Sequence, residues 1–187
     1  MIFTKGVKMR LPDRWRTERL IIRSSVLEDS RELNRICASW KDKIYVEGEG
    51  FSDDFIENCI MNGDLPPIEN ADISNFYMMT IQDANGQIIG FFNLYHGYPN
   101  KDTLWIGIFV IDSEFQGKAF GQEVIKAICD ECKKLECKSI GLGVYLKNWK
   151  GLRFWNNNGF NIITGVYGDK EYSESNFSLM GLRKEIC

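Results

Sequence analysis

The sequence has no long hydrophobic run and no strong excess of charge of either sign, and it contains a single histidine. No apolar stretch among its 187 residues approaches the roughly 18 needed to cross a bilayer, and the N-terminus has no continuous apolar segment of the secretory kind. The formal net charge is −3, and acidic and basic residues are interleaved. This pattern argues against a protein that binds nucleic acid or a membrane surface through charge. We therefore expect a cytoplasmic protein without such partners.

The scarcity of histidine also argues against a metal site. Cys129 and Cys132 form one C-x2-C pair, but they lie in a segment with helical periodicity, and no second pair completes a zinc set. Only His96 could add an imidazole. We predict no metal and expect the six cysteines, including Cys187, to be reduced thiols.

What the chain does have is enough apolar residues for one core, at 44% hydrophobic and 13% aromatic. Its periodicities predict the order β-α-α-β-β-β-α-β-α-β-β. The predicted fold class is α/β (α+β): a single domain with a mixed, mostly antiparallel twisted sheet of about seven strands and four helices. We expect residues 1–16 to form an N-terminal arm and 17–187 the domain.

Two local signals are especially clear. Asn85-Gly86, between two β-rich runs in residues 76–95, predicts a hairpin. Residues 119–135 place apolar side chains on one helical face, which predicts a long amphipathic helix. Shorter helices are predicted within 26–40, behind Asp29 or Ser30 as a cap, and over 52–63 and 149–158.

The stretch "IDSEFQGKAFGQEV" carries the strongest hint of function. Gly117 and Gly121 flank Lys118 where a strand-like run gives way to the long helix. A helix N-terminus presents unpaired N–H groups and a partial positive charge, and glycines allow close approach of a ligand. The segment is either a phosphate cradle or a turn that merely needs glycine. The chain has no P-loop pattern, and "GLGVYL" is no dinucleotide fingerprint, because Leu146 stands where its third glycine belongs and the segment continues as a strand.

Three segments resemble motifs of the GNAT family of N-acetyltransferases. "EFQGKAFGQEV" resembles its acyl-CoA-binding motif, [QR]-x-x-G-x-[GA], and "NWKGLRFWNNNGF" resembles its second motif. "RTERLIIRSSVLEDSREL" resembles the opening strand and helix of the branch that includes the ribosomal-protein alanine acetyltransferases. The three matches lie within residues 17–182 in the family's order.

The resemblance implies a site for acetyl-CoA and no metal. The cofactor's pantetheine arm would pair with Phe109, Val110 and Ile111, entering a splay between that strand and "GLGVYL". The pyrophosphate would be cradled by the backbone of Gly117, Lys118, Ala119, Phe120, Gly121 and Gln122. Asn148 would form a hydrogen bond near the cofactor, and Trp155 stands where the family often has tyrosine.

Two departures from the family pattern affect these expectations. Ala119 replaces the usual middle glycine of the cradle, which we expect to be compatible with the loop only if its φ is negative. Trp155 replaces the tyrosine that donates a proton to the departing thiolate, and an indole N–H is no practical acid. The reaction is slowed rather than forbidden, because general acid catalysis contributes typically 10²–10⁴-fold.

The predicted function is therefore acetyl transfer from acetyl-CoA to a primary amine, either a small molecule or a protein N-terminus, by direct attack. As the carboxylate that takes the proton from the attacking amine we predict Glu47, with Glu49, Asp102 and Asp112 as alternatives, and as a substitute acid we predict Tyr145. The alternative is a catalytically weak or inactive CoA-binding regulatory module. Two further alternatives are an acyltransferase that uses a larger acyl group and an interaction protein that binds a nucleotide. The sequence leaves the acceptor open, and equally whether the protein is a monomer or a homodimer.

Overall fold

The computed structural model describes residues 10–186, so the first nine residues of the predicted arm and Cys187 lie outside the described range. The strands are β1 Arg14–Arg16, β2 Leu20–Ser24, β3 Phe76–Asp83, β4 Ile88–His96, β5 Thr103–Ile111, β6 Ser139–Tyr145, β7 Ile162–Gly168 and β8 Ser178–Glu185. The α-helices are α1 Ser30–Ser39, α2 Lys43–Glu47, α3 Phe55–Asn62, α4 Phe120–Lys134 and α5 Trp149–Asn157.

All eight strands form one sheet in the order β1-β2-β3-β4-β5-β6-β8-β7. Only β5 and β6 are parallel neighbours, and the other pairs are antiparallel. The predicted fold class is confirmed, with eight strands and five α-helices in the described range instead of about seven and four. Asn85-Gly86 forms the predicted hairpin between β3 and β4, with a φ of 85° at Gly86.

The two additional elements are short, which is why periodicity did not reveal them. Strand β1 lies inside the predicted arm and pairs with β2, and the preceding Leu11 is buried in the core. Helix α2 contains the strand-favouring residues Tyr45 and Val46 and ends at Gly48, where φ is 88°. Both elements depend on tertiary contacts more than on local propensity.

The sheet is covered by helices on both faces. Side chains alternate across β4 and β5, so Phe91 and Val110 pack in one cluster with residues of α1 and α3. Phe92 and Ile106 belong to the opposite cluster, which includes the buried face of α4. No helix in the described range combines the length and apolarity needed to span a membrane.

Asp29, predicted as a possible helix cap, instead holds the start of α1 to the sheet. Its carboxylate accepts two hydrogen bonds from the Arg23 guanidinium at 2.7 Å and one from Thr80 Oγ1 at 3.1 Å. The residue is only 6% exposed. Burial by itself raises the pKa of this carboxyl, but the hydrogen bonds from Arg23, Val26 and Thr80 and the charge of Arg23 outweigh it, and the net shift is downward.

We expect Asp29→Asn to lower the free energy of unfolding by about 2–3 kcal/mol at pH 7, because it leaves a partly buried guanidinium without its counterion. Since the folded-state pKa of Asp29 lies below its unfolded value, its contribution is present above pH of roughly 4 and is lost as the pH falls through the folded-state pKa. Urea denaturation of wild type and variant from pH 7 to 2 should show the difference shrinking.

Asp102→Asn is the matched control, because the Asp102 carboxylate also forms an ion pair, with Lys138 at 2.8 Å, but at the surface. That variant should barely change stability. A loss at Asp29 that is no larger than at Asp102, or that persists unchanged at low pH, would contradict the assigned role of the carboxylate.

Candidate functional site

A cleft opens where β5 and β6 separate. The two strands pair over four positions only, from Thr103 opposite Ser139 to Ile106 opposite Leu142. Beyond them β5 stays paired with β4 as far as Ile111, while β6 stays paired with β8 as far as Tyr145. The structure therefore contains the splay that the family resemblance implies.

The splay leaves part of the β5 backbone facing the gap. The N–H groups of Ile108 and Asp112 donate toward β4, at 3.0 Å and 2.9 Å. Because successive N–H groups of a strand point in opposite directions, those of Phe109 and Ile111 point toward the gap. Such an edge is suited to an extended ligand that adds to it like another strand.

The N-terminus of α4 lies at the end of this edge. The Glu123 N–H donates to the Ala119 carbonyl at 3.2 Å and is the first intrahelical donor, so the N–H groups of Phe120, Gly121 and Gln122 before it have no acceptor within the helix. The 15-residue helix adds the positive end of its dipole at this point. These donors suit an anionic group such as a phosphate.

Ala119 contradicts the expectation of a negative φ. Its φ is 63° and its ψ is 8°, in the left-handed region, and it is the residue that precedes α4. The loop needs this conformation to turn from Gly117, with a φ of 76°, into the helix. An L-residue there costs roughly 1–2 kcal/mol, so the predicted restriction was wrong and the alanine is held under strain.

The two cradle glycines serve different purposes. Apart from Gly117 and its two chain neighbours, no described residue has an atom within 4 Å of the position that a Cβ of Gly117 would occupy, so this side of the loop is open. At Gly121 a Cβ would lie 3.0 Å from the Phe154 ring. Glycine at 121 thus allows close packing of α4 on α5, a reason distinct from the predicted close approach of a ligand.

Aromatic rings form the floor of the cleft. Phe109 stacks on Phe154 at 5.8 Å between ring centroids and meets the edge of Trp155 at 5.6 Å. Trp155 also contacts Phe160 at 5.1 Å and is 8% exposed. Trp155 is therefore part of the core as well as of the cleft lining.

Two other predicted cofactor residues have structural contacts of their own. Asn148 Oδ1 accepts the Gly151 N–H at 2.8 Å and so caps α5. The Lys118 ammonium lies over the Phe115 ring, 4.8 Å from its centroid. Asn148 lines the cleft, whereas Lys118 belongs to the loop beside it.

The cleft has a volume of about 1100 Å³, at the upper end for a ligand site. We call the part next to α4 and α5 the cofactor end; its lining includes Ile111, Gly117, Gly121, Gln122, Phe154 and Trp155. We call the rest of the lining, which includes residues of α2 and the first residue of α5, the acceptor end. It contains the aromatic residues Trp40, Tyr45, Tyr98, Trp105 and Trp149, and the acids Asp42, Glu47 and Asp64.

Both predicted catalytic residues line the cleft. Glu47 forms an ion pair with Lys43 at 3.0 Å. Burial, together with the charges of Glu47 and Glu49, raises the pKa of Tyr145, so its phenol is protonated at neutral pH. The alternatives Asp102 and Asp112 are held elsewhere, by Lys138 and by Arg35 respectively.

The sequence analysis missed Asp64 and Asn93, which meet at the acceptor end. Asn93 Oδ1 accepts the Ile108 N–H at 3.0 Å, and Asn93 Nδ2 donates to Asp64 Oδ2 at 3.3 Å. Asn93 is 2% exposed. A polar residue inside the apolar run "IIGFFNLY" was the available signal.

Glu123 supports the cradle from behind. Its carboxylate accepts hydrogen bonds from the Thr17 hydroxyl and from the Arg19 N–H and Nε, the latter two at 2.8 Å and 2.7 Å. Burial by itself raises the pKa of Glu123, but these hydrogen bonds and the charge of Arg19 lower it by more, so the net shift is downward. The acid therefore ties the segment before β2 to the first turn of α4.

Within the described residues, no group of three His, Cys, Asp or Glu side chains is arranged to hold a metal ion. The five cysteines in this range are free thiols.

A family model described as "Acetyltransferase (GNAT) family" matches residues 38–160. Two curated relatives are the probable spermine N(1)-acetyltransferase of Bacillus subtilis subsp. natto and the spermine/spermidine N(1)-acetyltransferase of Bacillus subtilis strain 168. Each is 28% identical over 100 residues, 50% of this chain and 65% of the relative. The match thus covers slightly less than two thirds of their length.

Solved structures share the fold over most of the chain. Spermidine N-acetyltransferase from Vibrio cholerae, in complex with CoA and spermine, aligns with a TM-score of 0.67 and 18% identity, covering 89% of this chain and 95% of that one. Ribosomal-protein-S18-alanine N-acetyltransferase from Escherichia coli aligns with a TM-score of 0.62 and 14% identity, covering 89% and 94%. At these identities the likeness establishes the fold alone.

The strain at Ala119 gives a test of the cradle conformation. We expect Ala119→Gly to raise the free energy of unfolding by about 0.5–1 kcal/mol, because relief of the left-handed strain exceeds the entropy that glycine adds to the unfolded chain. The same substitution at Ala127, in the middle of α4, should instead cost about 1 kcal/mol. Urea denaturation compares them, and a loss at both positions would contradict the left-handed geometry.

Proposed function

The chain belongs to the acetyltransferase (GNAT) family, and we propose that it transfers an acetyl group from acetyl-CoA to a primary amine. The observation that carries the proposal is the junction of two features: the unpaired backbone edge of β5 ends where the free N–H groups of α4 begin. An extended chain with an anionic group at one end is the ligand that such a junction fits.

The residues of the cofactor end fit acetyl-CoA. Phe109, Val110 and Ile111 would lie along its pantetheine arm, with the gap-facing N–H groups of Phe109 and Ile111 as donors. The backbone from Gly117 to Gln122 would hold the pyrophosphate, and Asn148 and Trp155 would border the arm. Acetyl-CoA supplies the acetyl group as a thioester, whose thiolate is a tolerable leaving group at neutral pH.

Tyr145 and Glu47 would act at the acceptor end. Tyr145 is a phenol that carries its proton at neutral pH and can give it to a departing thiolate, which Trp155 cannot do. Glu47, paired with Lys43, contributes negative charge that helps keep this phenol protonated. Attack by the amine is direct in this proposal, with no covalent enzyme intermediate.

Gln122→Glu tests the cradle without disturbing the fold. Gln122 is exposed in the first turn of α4, where an acidic side chain is favourable to the helix. The same carboxylate would face the pyrophosphate, so we expect the affinity for acetyl-CoA to fall at least tenfold. Isothermal calorimetry with acetyl-CoA, CoA and ATP measures the effect.

Gln87→Glu, in the β3–β4 hairpin, adds the same charge away from the cleft and should bind acetyl-CoA like the wild type. Unchanged affinity in Gln122→Glu would contradict the cradle. A wild-type preference for ATP over acetyl-CoA would support the nucleotide-binding alternative instead.

We propose a polyamine as the acceptor. Five aromatic rings and three carboxylates line the acceptor end, a combination that attracts alkylammonium groups through cation–π and ionic contacts. The names of the curated relatives, which describe acetylation of spermine and spermidine, point to the same chemical class. A protein N-terminus carries a single ammonium and would use less of this lining.

Steady-state rates of CoA release should therefore be at least tenfold higher in kcat/KM with spermidine than with alanine or an alanyl peptide. The physical reason is that each desolvated ammonium–ring contact contributes on the order of 1 kcal/mol. A faster rate with the alanyl peptide would contradict the polyamine assignment. Binding of acetyl-CoA without turnover of any amine would favour the inactive regulatory module.

A further inference from the structure

Acetylation of an amine requires a group that takes the proton from the attacking nitrogen. Alkylamines have a pKa of roughly 10.4 and are mostly protonated at neutral pH, whereas only the neutral nitrogen has a lone pair to share. Three carboxylates line the acceptor end of the cleft, at Asp42, Glu47 and Asp64. The three carboxylates differ in the side chains with which they form ion pairs or hydrogen bonds.

Two of the three face a cation of this chain. Glu47 lies 3.0 Å from the Lys43 ammonium, and Asp42 lies 3.8 Å from that of Lys150. Each of these two carboxylates therefore already has a cation of the protein as its partner. Asp64 differs, since the only partner that the described structure gives its side chain is the neutral amide of Asn93, at 3.3 Å.

Asn93 connects this carboxylate to the strand at which the splay begins. The amide is buried and accepts the N–H of Ile108, two positions after the last β5 residue paired with β6. Its other end donates to Asp64. A loop acid at the rim of the cleft is thus held two hydrogen bonds from the strand that borders the reacting groups.

We propose that Asp64, positioned by Asn93, is the group that contacts the acceptor nitrogen and takes its proton. The inference rests on the proposed function and adds a residue to it. The Asp64 carboxylate takes one proton from the bound ammonium, which leaves the nitrogen a lone pair to form the new bond to the acetyl carbon. The electron pair of the carbon–sulfur bond leaves on sulfur, and the second proton that the nitrogen sheds replaces the one that Tyr145 gives to that sulfur. Asp64 later returns its proton to solvent.

Asp64→Asn keeps the shape of the side chain and removes its ability to accept the proton. Because Asp64 is exposed, the variant should keep the fold. We expect kcat with spermidine at pH 7.5 to fall about 10²–10³-fold while the affinity for acetyl-CoA, measured by calorimetry, stays within twofold. Asp64→Glu should recover part of the rate, and Asp130→Asn, on the exposed side of α4, is the matched control and should match the wild type.

The pH profile distinguishes proton transfer from a structural role. Without the base, the Asp64→Asn variant depends on amine that is already neutral in solution, so its rate should keep rising toward pH of roughly 10. The wild-type rate should level off at a lower pH, so the ratio of the wild-type rate to the variant rate should fall as the pH rises. A gap that is constant with pH, or no loss of rate, would overturn the assignment of Asp64 while wild-type turnover upholds the proposed function. An inactive wild type would contradict both.

Discussion

The separation of β5 from β6 is the constraint on which the rest of the structure depends. Each of the two strands keeps an antiparallel partner on its outer side, β4 for one and β8 for the other, over the positions where they part. Backbone groups on the inner sides therefore lose a sheet partner, which is costly unless a ligand or water replaces it. In this sheet the separation occurs beside the first turn of α4, whose N–H groups also lack intrahelical acceptors.

Close packing around the gap determines which residues are tolerated there. The register between β4 and β5 shifts at Asn93, and this irregularity turns the amide toward Ile108. A Cβ at Gly107 would lie 2.3 Å from Asn93 Oδ1, so this position admits only glycine as long as the amide stays in place. The hydrogen bond from Ile108 to Asn93 and the irregular pairing of β4 with β5 therefore depend on each other.

The elements that could be predicted from the sequence are those whose signals are local. The β3–β4 hairpin follows from Asn85-Gly86, and α4 follows from its apolar face. The strand-to-helix loop was identified because glycine and a helix start are adjacent in sequence. The left-handed φ of Ala119 was not, because alanine is a poor marker of that conformation and the turn is imposed by both flanking elements.

The site was predictable only in part for the same reason. Asp64 and Asn93 are 29 residues apart, and nothing in either neighbourhood shows that they meet. Asp29 has the position of a helix cap, yet its carboxylate is drawn to Arg23 across the turn from β2. In both cases a tertiary partner decides what a polar side chain does, and a local pattern records only that the side chain is polar.

Tryptophan at position 155, where the family resemblance implies tyrosine, leaves the role of proton donor to another residue. The indole has edge contacts with Phe109, Phe154 and Phe160, so it holds α5 against β5 beneath the gap. A larger ring at that position adds apolar contact area but removes a hydroxyl proton from the floor. In the proposed enzyme Tyr145, on β6, supplies the proton instead, and burial together with the charges of Glu47 and Glu49 raises the pKa of its phenol. Packing beneath the cleft and donation of a proton are separate requirements, and in the proposed enzyme Trp155 meets the first and Tyr145 the second.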